Sequence, residues 1–462
     1  MRTNINETKA KIGQSVEIYG WVATRRDHGK LIFIDVRDRS GIVQVVFTPK
    51  SKDYNLAEKL RSEWVLKITG LVQRRPEAMV NKETETGEIE IVPEFMEVLS
   101  EAQTPPFALD TDGYEIGEES RMKYRYLDLR RERMKRNILL RHRVTFLARE
   151  YLNKQNFIEI ETPTLTKTSP EGARDFVVPS RFHPGKFYAL PQAPQQYKQL
   201  LMIAGFEKYY QIAHAFRDED LRGDRQFEHT QIDMEMSFAD EKDIWSVVEG
   251  LMVHIAETLG KKITQKPFPV FSHAEAMEKF GADKFDFREN KNDPNEMAFA
   301  WVSDFPLFEY DEDEKKYVFA HNPFSAPKPE HVEKLMKGED LGSLRARQYD
   351  LVCNGYELAS GGVRISNPTV QRKIFEIMGL SPEVTEERFG HLINAYQFGA
   401  PTHAGIAPGL DRLVMLLAGE KDIREVIAFP MSSGGQTSVM DAPSELSKKQ
   451  LDELYIQIKK EK

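Results

Sequence analysis

Cysteine is almost missing from this chain: Cys353 is the only one in 462 residues. That excludes an intrachain disulfide framework and any cysteine-built zinc site, so no zinc is expected. Long apolar runs are missing too. No stretch approaches the roughly 18 residues that a membrane span needs, and the N-terminal MRTNINETKAKIGQ is too polar for a signal peptide. No membrane partner is expected, and a reducing cytoplasm is the simplest location. Two glycine signatures are absent as well. There is no GxxxxGK[ST] and no GxGxxG after a strand, and Gly361-Gly362 fits neither spacing, so neither a P-loop nor a Rossmann nucleotide site is indicated. Nor is there an excess of positive charge, since the formal net charge is -9.

What is present begins with a local departure from that sum. Phosphate contacts are screened beyond about 8–10 Å, so the distribution of charge matters more than its total. Residues 121–143 carry ten Lys/Arg against two acids, and lying between two candidate domains they could track phosphates. A hydrophobic share of 40% and an aromatic share of 10% are those of a folded chain, and 462 residues suffice for two or three domains with a large core.

Residues 1–104 alternate as a small β domain. Val16–Val22, Leu31–Val36, Gly41–Phe47, Trp64–Val72 and Glu88–Leu99 are strand-like, separated by turn signals such as His28-Gly29 and Arg75-Pro76. Asp53–Arg61 fits one helix between the third and fourth strands. That is the element order of an OB-fold, a barrel that often binds single-stranded oligonucleotides on one face. Residues 105–135 open on Pro105-Pro106 and lead as a connector into the basic segment, and residues 136–462 mix helical and strand patterns.

Three strings in the third segment carry chemistry. Ile158-Glu159-Ile160-Glu161-Thr162-Pro163-Thr164-Leu165 follows a long amphipathic helix. Phe216-Arg217-Asp218-Glu219-Asp220, with Arg225-Gln226 and Thr230 to Glu235, packs arginines, carboxylates and amides between apolar runs. Arginine forks suit phosphate bidentately, so this pattern can hold a polyanion on a sheet without a glycine loop. Gly409-Leu410-Asp411-Arg412 opens an apolar helix near the C-terminus. Between the last two lies Tyr349-Asp350-Leu351-Val352-Cys353-Asn354-Gly355-Tyr356-Glu357. An ideal strand would put Asp350 and Glu357 on opposite faces, and a turn or bulge near Asn354-Gly355 would bring them together. Two carboxylates beside a triphosphate suit Mg²⁺.

These strings resemble motifs 1, 2 and 3 of the class II aminoacyl-tRNA synthetases, most closely the bacterial aspartyl enzymes. The resemblance implies an α+β fold, with an N-terminal OB-fold β-barrel (1–104), a linker (105–135) and a class II catalytic domain (136–462) on an antiparallel sheet flanked by helices. It implies a homodimer built through the first motif. It places Arg217 on the α-phosphate of ATP and the substrate carboxylate, and Glu219 on the adenine amino group. Arg412 falls on the γ-phosphate. Asp218, Gln226, His229, Gly409, Leu410 and Asp411 are further ATP contacts, and Glu357 is shared between ATP and Mg²⁺ with Asp350. For L-aspartate it implies Glu171 and Asp233 at the ammonium, Lys198 and Arg364 at the side-chain carboxylate, and Gln195 and His321 beside them. For the tRNA(Asp) anticodon it implies Arg26, His28, Phe33 and Gln44. A histidine at 28 goes in this family with charging tRNA(Asn) as well.

The chain departs from the family at Ala193 (commonly serine), at His229 (usually another adenine-stacking aromatic) and at Asn322 (usually a second histidine). The domain of over a hundred residues usually inserted between motifs 2 and 3 is absent near 288–299. An asparaginyl enzyme shares the same plan, and a non-catalytic RNA-binding paralogue would share the shape. The Lys198/Arg364 cation pair speaks for a carboxylate side chain over an amide.

Overall fold

The computed structural model describes residues 1–168, 173–313 and 315–459. They divide into two compact units, Met1–Thr111 and Asp112–Lys462.

In the first unit five strands close a barrel in the order β1-β2-β3-β5-β4: β1 (Ser15–His28), β2 (Leu31–Asp38), β3 (Gly41–Phe47), β4 (Val65–Arg74) and β5 (Ile89–Ser100). Strict alternation does the sorting. Along β2, Ile32, Ile34 and Val36 are buried while Phe33, Asp35 and Arg37 lie on the outer face. β1 runs on to His28, which pairs with Leu31 across a two-residue turn at Gly29-Lys30. Gly29 takes φ +61°, the left-handed backbone that this tight hairpin turn requires. The expected helix over 53–61 is only Tyr54–Ala57.

The second unit is built on an eight-stranded sheet ordered β12-β14-β17-β18-β19-β10-β9-β6. Its strands are β6 (Ile158–Glu159), β9 (Lys208–Phe216), β10 (Glu228–Ser237), β12 (Val270–Ser272), β14 (Phe299–Ser303), β17 (Gln348–Cys353), β18 (Tyr356–Val363) and β19 (His403–Pro408). Three ribbons complete the set: β7 (Val177–Pro179) with β8 (Phe187–Ala189), β11 (Lys262–Ile263) with β13 (Glu296–Met297), and β15 (Phe308–Asp311) with β16 (Lys316–Phe319). The centre of the sheet is antiparallel, and the two outermost pairings, β12/β14 and β6/β9, are parallel.

Helices Glu132–Lys154, Glu241–Thr258 and Leu410–Ala418 cover one face. Val248, Leu251, Met252 and Ile255 repeat at helical spacing and are buried against Ile232, Met234, Trp301 and Ile406 of the sheet. Each such side chain contributes about 1.5–3 kcal/mol relative to exposure. The opposite face of β10 carries Gln231, Asp233 and Glu235, the alternate residues of the same strand.

The basic segment corrects an expectation. Arg121, Arg125, Arg131 and Arg133 are buried, not spread along a phosphate-tracking surface. Asp128 accepts ion pairs from Arg121, Arg125 and Arg131 at 2.7–3.0 Å. Glu425 pairs with Arg121 and Arg133, and Glu420 pairs with Arg133. Desolvation makes isolated buried guanidiniums costly, so they persist here only as one compensated cluster. It fastens the short helices Glu118–Lys123 and Arg125–Asp128 and the start of Glu132–Lys154 to the loop after Ala418. Among the described residues no helix is long and apolar enough to cross a membrane.

Candidate active site

The face of β10 and β18 opposite those three helices forms the floor of a cavity of about 300 Å³, and helix Gln195–Ile203 brings Gln195 and Lys198 to it. Strand alternation supplies the floor, and the loop from β9 to β10 supplies one wall. That loop is pinched at its base, where Arg217 N–H donates to Phe227 O at 2.7 Å. Arg217 and Arg225 both line the cavity, and the Nε of each is buried without a hydrogen-bond partner. Among the described residues neither guanidinium makes an ion pair. They contrast with the Asp128 cluster: positive charge that meets no carboxylate among the described residues.

The other cations at the site are partnered. Lys198 Nζ lies 2.9 Å from Asp233 Oδ2 and 3.3 Å from Glu235 Oε2. Glu235 takes Arg364 through Nε at 2.9 Å and Nη2 at 3.3 Å, leaving Nη1. Asp233 Oδ1 is buried and accepts no hydrogen bond among the described residues. Burial pushes the Asp233 carboxyl up against the pull of Lys198, whereas for Glu235 the Arg364 and Lys198 charges outweigh burial and hold it down. Glu235 was passed over in the sequence, although the period-two spacing from Asp233 along one strand was the available signal. Gly405 explains how it fits. Gly405 stands opposite Glu235 on β19, and a Cβ there would overlap Glu235 Oε2.

Arg412, in the first turn of helix Leu410–Ala418, is held on two sides. Nη2 meets Asp224 Oδ2 at 3.0 Å and Nη1 donates to Glu357 O at 2.7 Å. Asp411 is a brace: its Oδ2 accepts from Thr230 N–H at 2.8 Å and its Oδ1 from Arg141. Gln226 likewise has both amide ends on the backbone of Met431. His229 faces the cavity with its pKa pushed down to about 3, first by burial and then by Arg217 and Arg412, so the ring is neutral. His321 lines the cavity edge-on to Phe305, with ring centroids 4.7 Å apart.

The β17–β18 hairpin shows how Asp350 and Glu357 meet. Asn354-Gly355 forms a two-residue turn with φ of 50° and 89°, and a bulge falls between Leu351 and Val352. The bulge shifts the register by one, so the two carboxylates come close enough to act on each other despite their odd spacing. Asp350 is 4% exposed, its Oδ1 lacks a partner, and burial together with the Glu357 charge pushes its pKa well up. Among the described residues no group of three or more His, Cys, Asp or Glu is placed to hold a metal ion. Two carboxylates with an open acceptor do fit a Mg²⁺ whose other ligands are substrate phosphates and water.

Of the residues expected from the sequence, the cavity gathers Gln195, Lys198, Arg217, Glu219, Gln226, His229, Asp233, His321, Glu357, Arg364, Gly409, Asp411 and Arg412. It also draws in Asp224, which was not expected, and Arg225 and Gln231, which belong to the second string but were given no separate role. Asp218 and Leu410 are not in its lining. Asp218 N–H is bonded to Arg174 O, and the Leu410 side chain is buried in the core, so only its backbone is left for a ligand. Asp350 stands behind Glu357, outside the lining. Glu171 lies outside the described residues.

In the first unit Arg26, Phe33 and Gln44 share the outer face of the barrel. Phe33 is half-buried on that face rather than in the core. Arg26 pairs with Asp35 at 2.7 Å and reaches Gln44 Oε1 at 3.4 Å, and Gln44 donates to Glu90 at 3.2 Å. His28 is exposed at the tip of the β1–β2 hairpin.

Residues 117–433 match the family described as tRNA synthetases class II (D, K and N), and residues 16–99 match the OB-fold nucleic acid binding domain. Aspartate–tRNA(Asp/Asn) ligase of Rubrobacter xylanophilus is 41% identical over 97% of this chain and 95% of its own. Aspartate–tRNA ligase of Staphylococcus carnosus is 39% identical over 98% of both chains. The first alignment runs over 574 positions against a chain of 462, so at least 112 of those positions have no residue here. The asparaginyl-tRNA synthetase of Pyrococcus horikoshii superposes with a TM-score of 0.74 at 21% identity, over 93% of this chain and 98% of that one. The aspartyl-tRNA synthetase of Entamoeba histolytica superposes at 0.73 and 22% identity, over 93% and 91%. A barrel of the nucleic-acid-binding kind, an arginine-walled cavity on an antiparallel sheet and a match across most of its length together make this chain a member of the class II aminoacyl-tRNA synthetases.

Proposed function

We propose that the chain is an aspartate–tRNA ligase: it activates L-aspartate with ATP and transfers it to the 3′ end of tRNA(Asp). The observation that carries this is the division of the cavity into two electrostatic halves. One holds the guanidiniums of Arg217 and Arg225, which make no ion pair among the described residues. The other holds Lys198 and Arg364 tied to Asp233 and Glu235. The first half suits a triphosphate. The second suits an amino acid with a charged side chain, since Asp233 Oδ1 is an open acceptor for an ammonium and Arg364 Nη1 an open donor for a carboxylate. The names of the relatives point the same way.

In this reading the α-carboxylate oxygen of aspartate attacks the α-phosphorus, and the bond to the bridging oxygen of the β-phosphate breaks. Aspartyl-adenylate and pyrophosphate result. Arg217 meets the charge that develops on the α-phosphoryl oxygens, and Arg412, braced by Asp224, meets the leaving pyrophosphate. Positioning and preorganised charge do the catalysis. Neutral His229 offers a flat face to adenine, and Glu219 an acceptor for its amino group. Asp350 and Glu357 would hold Mg²⁺, which supplies charge neutralisation on the phosphates. The terminal ribose hydroxyl of the tRNA then attacks the acyl carbon and AMP leaves. No side chain becomes acylated, and Cys353 is buried with its thiol pKa raised by desolvation.

The barrel face bearing Arg26, Phe33 and Gln44 serves the anticodon, with Phe33 as the stacking ring. His28 and the Asp/Asn names among the relatives favour an enzyme that charges tRNA(Asn) too. Ile158 and Leu165 of the first motif are 48% and 52% exposed, and this apolar exposure favours a homodimer. The test is aspartylation of separate tRNA(Asp) and tRNA(Asn) transcripts. Charging of both is expected. Charging of tRNA(Asp) alone would reduce His28 to a turn residue, and charging of neither would sink the proposal.

A further inference from the structure

The segment before the 288–299 loop is built to hold one lysine still. Phe271, Phe280, Phe285 and Phe287 pack with Ala300, Val302 and Phe305, and the Phe280 and Phe285 rings stack at 3.9 Å. Gly355 N–H donates to Phe285 O at 3.0 Å, which ties the segment to the turn of the β17–β18 hairpin. Arg288 grips Asp286 at 2.8 Å just beyond. The residue preceding Phe285 is therefore placed by its neighbours on both sides. That residue is Lys284, and its Nζ lies 2.8 Å from Glu357 Oε2.

The placement answers an electrostatic need. Asp350 is buried on β17 and Glu357 stands on the neighbouring strand β18, so two carboxylates share one end of the hairpin. Like carboxylates so placed repel unless a cation stands by. Arg412 is already committed to Asp224 and to the Glu357 backbone. Lys284 is the ammonium in contact with the Glu357 side chain, at 2.8 Å. Asp350 Oδ1 keeps an open acceptor behind it.

We propose that Lys284 is the resident cation of the Asp350/Glu357 pair. It positions Glu357 and balances its charge while no nucleotide is bound, and it competes for that carboxylate with the divalent ion that arrives with ATP. The inference rests on the reading of this pair as divalent-ion ligands. Lys284 is a positioning residue: it acts through Glu357.

The test is a titration of Mn²⁺ followed by electron paramagnetic resonance, with and without a non-hydrolysable ATP analogue. The proteins are the wild type, Lys284→Met, Lys284→Arg, Glu357→Gln and the double variant Lys284→Met/Glu357→Gln. Without nucleotide, Lys284→Met should bind Mn²⁺ about tenfold more tightly or better, because a unit positive charge beside the site is gone. Lys284→Arg should behave as the wild type, and the double variant should lose the gain. If Lys284→Met binds no more tightly while Glu357→Gln weakens Mn²⁺ binding in the presence of the analogue, the carboxylates are ligands but Lys284 is not their resident cation. If Glu357→Gln changes nothing with the analogue present, the ligand reading itself fails and the inference falls with it. Lys284 is 39% exposed, so its replacement is not expected to unfold the chain.

Discussion

Two arginines face the same cavity, and their removal should have opposite thermodynamic signatures. Arg364 is 4% exposed and bound twice to Glu235, which is itself buried. Arg364→Ala leaves a buried carboxylate short of its main partner, a change that costs about 3–5 kcal/mol. Lys198 remains 3.3 Å from Glu235, so the lower end, about 3 kcal/mol, is expected. In a unit of this size that is a fall of roughly 4–6 °C in its unfolding midpoint. Among the described residues Arg217 makes no ion pair that its removal would break, and its buried Nε is unsatisfied. Arg217→Ala should therefore leave the midpoint unchanged or slightly raised. Its cost appears in catalysis, about 10²–10³-fold in the rate of adenylate formation, the usual loss when one preorganised transition-state donor is removed. Calorimetry and aspartate-dependent pyrophosphate exchange on the two variants read both quantities. An Arg217→Ala protein that melts as early as Arg364→Ala would mean the guanidinium has a structural partner. A folded Arg217→Ala protein with near-normal exchange would remove Arg217 from the reaction.

Phe33→Ala should weaken tRNA charging by the about 1–3 kcal/mol that one stacked base contributes, while pyrophosphate exchange stays unchanged. Equal loss in both assays would make Phe33 structural. His229 is neutral when folded down to a pKa of about 3, whereas in the unfolded chain it protonates below about 6.5. The unfolded state then binds more protons, so His229 lowers stability as pH falls from about 6.5 toward 3. His229→Phe should lose less stability than the wild type between pH 7 and 4.5 in urea unfolding, and equal losses would contradict the assignment. Sedimentation at micromolar concentration should show a dimer, and Ile158→Asp should shift it toward monomer. A monomeric wild type would remove the support drawn from the first motif.

The sequence was legible where period and composition agree. The five barrel strands follow from their alternation, and the cavity gathers most of the side chains suggested by the second and third strings. It was less legible where tertiary pairing decides. The arginines of 121–143 look like a surface charge run, and only Asp128, Glu420 and Glu425 turn them into a buried cluster. The last two lie some three hundred residues away in sequence. Glu235 was hidden among the carboxylates around it because its role depends on Arg364 from another strand and on the space above Gly405. Asp411 and Gln226 line the cavity, and what the sequence does not reveal is that they also brace it, Asp411 through Thr230 and Arg141 and Gln226 through the Met431 backbone. The Asp350/Glu357 encounter needs a bulge whose exact position the residues alone do not reveal.

The most direct measurement is amino-acid-dependent ATP–pyrophosphate exchange by the purified chain, comparing L-aspartate with L-asparagine. A site that holds Lys198 and Arg364 against a charged side chain should favour aspartate by about 10⁴-fold in kcat/KM, the scale on which a polar pocket rejects an analogue lacking its matching group. Exchange with asparagine at a comparable rate, or no exchange with either, would contradict the account.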